Sequence, residues 1–141
     1  MDKKDAEKAY KDLKLKHHEL QDSYKKYFPK VISKLLEDLL LYSKDYNEND
    51  HLYSIQVLAH AGTDPEKARR YFLEKTGQVP ESYEKGTHYL VNMKITFELL
   101  ADMQNYEEVK EINGDYVGPA SSVSEIHRHR GEDEESRIVD V

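Results

Sequence analysis

Seven histidines and no cysteine set the side-chain chemistry open to this chain of 141 residues. Without thiols there is no disulfide, no thiolate metal site and no cysteine nucleophile. Glu84 and His88 stand four apart, a spacing that on a helix brings two metal ligands to one face. The residues around His88 alternate like a strand, which opposes that arrangement. His51 and His60 bracket a short segment and lie too far apart on it to share a site. His127 and His129 alternate with Arg128 and Arg130 and would share one face of a strand. No His-Glu-x-x-His spacing occurs. There is no Gly-x-Ser-x-Gly elbow, and the six glycines are scattered rather than gathered into a phosphate loop. The expectation is a protein that is not an enzyme and uses no catalytic residue, cofactor or metal. What remains is recognition.

Tyrosine carries much of that reading. Eleven tyrosines stand against three phenylalanines and no tryptophan, and tyrosine offers large contact area with a polar tip, suited to interfaces. Ala6, Tyr10, Leu13, His17, Leu20, Tyr24 and Tyr27 recur at alternating spacings of four and three, a heptad seam. A helix so charged and so weakly apolar is not stable alone. It needs the next segment, a second copy of itself, or a partner. Tyr10, Leu13, His17, Leu20, Tyr24 and Tyr27 are therefore the expected partner interface. A histidine in the seam fixes register at some cost in stability and, once buried, makes pairing depend on pH. Pro29 interrupts the pattern. VISKLLEDLLLY beyond it is far more apolar and reads as the core helix.

Residues 58–72, LAHAGTDPEKARRYF, place an Ala-Gly-Thr-Asp-Pro corner between two helix-like runs. Leu52, Ile55, Leu58 and Ala59 would line the inner side of the first. Gly62 ends it, Thr63 or Asp64 caps the next, Pro65 suits its first position and Gly77 stops it. Ala61-Gly62 followed by Tyr71-Phe72 and Lys75 is similar to the spacing in the DNA-binding segment of TetR-type repressors. The resemblance covers fewer than about twenty residues, and Thr63 and Leu58 depart from it. It implies a recognition helix over 64–73, with Lys67, Arg69 and Arg70 as DNA-contacting residues. The alternative is a plain helical corner with both arginines solvated.

After Gly86 the period changes to two. Tyr89, Val91, Met93, Ile95, Phe97 and Leu99 alternate with more polar neighbours, which predicts a long strand with a bend. YEEVKEINGDYVGP reads as a hairpin around Asn113-Gly114, or as a short helix opened by Asn105 with Glu108 and stopped at Gly114. The end, GEDEESRIVDV, sets the acids Glu132 to Glu135 before Ile138, Val139, Asp140 and Val141. An apolar tetrad beside acids resembles SUMO-interacting motifs, so Ile138, Val139 and Val141 are a candidate linear motif that adds a strand to an exposed sheet edge. They serve equally as the chain's own last edge strand.

Charge follows the same division. Residues 1–34 hold ten lysines and six acids, 35–106 seven basic and twelve acidic residues, and 107–141 four basic and ten acidic, for a net charge of -7. An acidic protein binds nucleic acid only through a local basic face. Mean hydropathy is -0.89, and no apolar run is long enough to span a bilayer. The first residues lack the apolar core of a signal peptide, and a cytoplasmic location is expected.

The predicted fold class is α+β, mostly helical: about four N-terminal helices, the first coiled-coil-like, then a small β-containing C-terminal part. The alternative is an all-α helical bundle with a disordered acidic tail. The divisions are a charged heptad helix over 1–28, a helical core over 29–78, a β-containing segment over 79–118 and an acidic tail over 119–141. The expected function is non-enzymatic protein–protein interaction, in an adaptor, regulatory or assembly role, with self-association through the N-terminal helix. The expected partner is a protein or a second copy, giving a homo-oligomer, with no membrane. The competing reading is a helix-turn-helix DNA-binding regulator using residues 53–76.

Overall fold

The computed structural model describes residues 1–120, and the chain is mixed α+β. In order, the elements are α1 (Lys3–Tyr27), α2 (Ser33–Tyr42), β1 (His51–Ala59), α3 (Pro65–Thr76), β2 (Glu81–Tyr83), β3 (His88–Lys94), α4 (Phe97–Gln104) and β4 (Val109–Pro119), with a single 3-10 turn (Glu84–Gly86) between β2 and β3. The strands form one antiparallel sheet in the order β2-β3-β1-β4. The N-terminal helix is present, as is the β-rich second half. An all-α bundle is excluded.

The largest departure from the sequence reading is at 51–59. This segment is not a helix but the central strand of the sheet, hydrogen-bonded to β3 on one side and β4 on the other. Tyr53, Ile55, Val57 and Ala59 point into the core. Leu52 and Leu58 sit on the opposite face, only half-buried. With apolar residues on both faces, a helical spacing can be picked out of a period-two strand. The β-branched Ile55 and Val57 and the aromatic Tyr53 favour the strand.

Helix α3 has the ends that its sequence predicts. Asp64 accepts a hydrogen bond from the Glu66 amide at 3.1 Å, Pro65 occupies the first turn, and Gly77 closes the helix at φ +73°. Strand β3 alternates as expected but stops at Lys94 instead of running on to Leu99. Thr96 caps α4 by accepting from the Leu99 amide at 3.1 Å, and Leu100 and Met103, three apart, face the core. Asn105 is thus the end of a helix and not the start of one. Asn113-Gly114 makes no hairpin either, since β4 runs straight through it. A Cβ on Gly114 would lie 2.7 Å from Ile55 Cδ1 and 3.2 Å from Leu35 Cδ1. Glycine is there so that α2 can come down onto the sheet.

The helices pack on the sheet face that carries Tyr53, Ile55 and Val57. Helix α2 inserts Leu35, Leu36 and Leu39, all fully buried. Helix α3 sets Phe72 against Tyr89 of β3, with ring centroids 5.1 Å apart. The loop between α1 and α2 extends the sheet past β4. The Ile112 amide donates to the Lys30 carbonyl at 2.8 Å, and the Ile32 amide donates to the Ile112 carbonyl at 2.9 Å. Fully burying one leucine contributes about 1.5–3 kcal/mol, so the three leucines of α2 make it the helix most firmly tied to the sheet.

Candidate interaction surface

Helix α1 has 25 residues, about 37 Å at 1.5 Å per residue, and Tyr24 is its only buried side chain. Asp2 caps it, accepting from the Asp5 amide at 2.8 Å. Lys11 pairs with Glu7 at 3.1 Å and Lys16 with Asp12 at 3.0 Å, both one turn apart and exposed. Pairs of this kind support a helix by about 0.3–0.5 kcal/mol each. Attachment to the body is confined to the last two turns. Tyr24 is buried there, and Phe28 meets the ring of Phe97 edge-on. Gln104 donates to the Tyr27 carbonyl at 2.8 Å, and Gln21 donates to Glu37 at 3.4 Å. Burial pushes the Tyr24 phenol up, and the Glu37 carboxylate adds to this.

The seam named from sequence therefore divides. Tyr24 belongs to the core. Tyr10 is 61% exposed, Leu13 65%, Leu20 43% and Tyr27 62%, and His17 is exposed as well. Among the described residues, no coiled-coil pairing of this seam is formed. Leu40 and Leu41 of α2 are exposed as well. His17 and Tyr24 flank Gln21 on α1 at i−4 and i+3.

The corner at 58–72 joins a strand to a helix, so the two-helix geometry of a helix-turn-helix is not formed. Ala61 and Gly62, which would be packed in such a motif, are exposed. The turn is held by Thr63 Oγ1 donating to the His60 carbonyl at 2.7 Å and by the His60 amide donating to the Glu108 carbonyl at 2.9 Å. Lys67 reaches Glu108 at 2.9 Å. That bond holds the Glu108 carboxyl below its usual range and pushes the Lys67 ammonium up. Arg69 lies 3.4 Å from Glu66. Arg70 is exposed on the same helix and forms no ion pair among the described residues.

Glu84 and His88 do meet, at 3.1 Å, but through the turn before β3 and not along a helix. Among the described residues no cluster of three His, Asp or Glu is placed to hold a metal ion, and no helix is long and apolar enough to cross a membrane.

Two tyrosine stacks escaped sequence reasoning. Tyr42 lies flat on Tyr116 at 3.9 Å, with His51 Nδ1 2.9 Å from the Tyr116 hydroxyl. Tyr71 lies flat on Tyr106 at 3.8 Å. Burial raises the Tyr71 phenol strongly, and Asp102 adds to it. These stacks pin α2 to β4 and α3 to the turn before β4, so much of the tyrosine excess is structural. The partners are far apart in sequence, and no local spacing announces them. Ile138, Val139, Val141, His127 and His129 lie outside the described residues.

Comparison with protein-family models, with curated proteins and with solved structures finds no match.

Proposed function

We propose that the protein is a non-enzymatic assembly or adaptor protein that self-associates through α1. Tyr10, Leu13, His17, Leu20 and Tyr27 of one copy pack against those of another in coiled-coil fashion, with Leu40 and Leu41 at the margin. The observation that carries this is the exposure of Leu13 and Leu20, one heptad apart on a helix whose N-terminal half stands off the body. A long helix keeps such a stripe at little cost only when something covers it. Sedimentation of the wild type against Leu13→Asp with Leu20→Asp tests it. The substitutions leave the body folded and abolish association.

A DNA-binding role for Lys67, Arg69 and Arg70 has less support, because Lys67 is engaged with Glu108 and Arg69 faces Glu66. Anisotropy of a labelled duplex, titrated at low and moderate salt, separates the two readings.

A further inference from the structure

On α3, away from the α1 seam, the exposed residues Arg69, Arg70 and Leu73 form a shallow groove with Val79 and Glu66. Leu73 is 47% and Val79 56% exposed. Glu66 at the rim is turned to Arg69, which leaves Arg70 as the cation without an ion pair among the described residues. Two residues beyond Val79 the chain enters β2, an edge strand whose three residues are all exposed and which, among the described residues, pairs only with β3. Two cations, two apolar side chains and a free strand edge match a peptide that is both acidic and apolar.

The chain carries such a peptide. Residues 132–135 are Glu-Asp-Glu-Glu and residues 138–141 are Ile-Val-Asp-Val. We propose that residues 132–141 dock in cis on this groove. The acids face Arg69 and Arg70, and the Ile138, Val139 and Val141 side chains lie against Leu73, Val79 and the outer edge of β2. Reach permits it. Pro119 pairs with His51 at the end of the sheet where β3 finishes, and Val79 precedes Glu81, which pairs with Leu90, so Val79 lies toward that same end. From β4 to β2 is three strand spacings, roughly 14 Å, and the eleven residues 121–131 extend to about 36 Å. A tether of that length holds the peptide at an effective concentration on the order of millimolar, enough for a weak groove to be filled by its own chain.

The chain has no cysteine, so Ser136→Cys gives a single attachment point for a nitroxide label. Amide signals of the full isotope-labelled chain are then read for broadening. The expected result is selective loss at Arg70, Leu73, Val79 and Glu81–Tyr83. It disappears with Arg69→Glu plus Arg70→Glu, and equally with Glu134→Lys plus Glu135→Lys, which leaves the body untouched. A mixture of isotope-labelled wild type with spin-labelled, isotope-free chains should show no broadening. Undiminished signals in the groove overturn the proposal, as does broadening that survives charge reversal in the tail. Broadening in the mixture overturns docking in cis, because the peptide then reaches a second copy. The mixing experiment is run on chains that all carry Leu13→Asp and Leu20→Asp, so that pairing through α1 does not bring one copy's label near the other.

Discussion

Asn49 is the one buried polar side chain among the described residues, and it joins three pieces of chain. Its amide donates to the Tyr53 hydroxyl at 3.2 Å and to the Ile95 carbonyl at 2.9 Å, while its carbonyl accepts from the His51 amide at 3.0 Å. Asn49→Ala leaves a backbone donor and a backbone acceptor unsatisfied. It should cost about 1–3 kcal/mol, read as a lower midpoint in thermal denaturation. Gly114 is limited by volume rather than by polarity. Gly114→Val drives its branches into Ile55, Leu35 and the Ser54 carbonyl and should cost about 1–3 kcal/mol, again by thermal melting. Gly114→Ala should cost less, because the nearest atom is the swinging end of Ile55. Sequence shows Asn113-Gly114 as a turn pair. That the glycine instead makes room for a helix is set by residues far away in the chain and has no local mark.

Among the elements, those closed by local chemistry were legible. Asp64, Pro65 and Gly77 delimit α3 because caps act over three or four residues. The change of period after Gly86 marks β3, and Thr96 marks its end only once α4 is known to follow. Strand β1 was hidden because its two faces both carry apolar residues, and with it went the helix-turn-helix reading of the corner. For that corner, Arg69→Ala with Arg70→Ala should leave the melting temperature unchanged, since both side chains are exposed. If the protein bound DNA through α3, the same pair would abolish the anisotropy change of a labelled duplex. The self-association reading expects no change to abolish. The seam of α1 was legible as a spacing, and its exposure became visible only once Tyr24 alone was found to be committed to the core. Leu13→Asp with Leu20→Asp should leave the body folded by far-ultraviolet circular dichroism, and should remove the dependence of the melting temperature on protein concentration that association gives the wild type.

At the scale of the molecule, a small sheet covered on one face by helices is anchored to a helix that outgrows it. The body accounts for the burial of the α2 leucines, the inner face of β1 and the stacked tyrosines, and it needs only the last two turns of α1. The earlier turns, with Tyr10, Leu13, His17 and Leu20, contribute no buried side chain to the described fold. The account assigns them to a second copy. Sedimentation velocity of the full chain over a series of concentrations, beside the Leu13→Asp, Leu20→Asp variant, tests that assignment most directly. The account predicts a wild type at twice the monomer mass or more and a variant at monomer mass whose body remains folded. A wild type that stays monomeric throughout, or a variant that associates as well as the wild type, would contradict it.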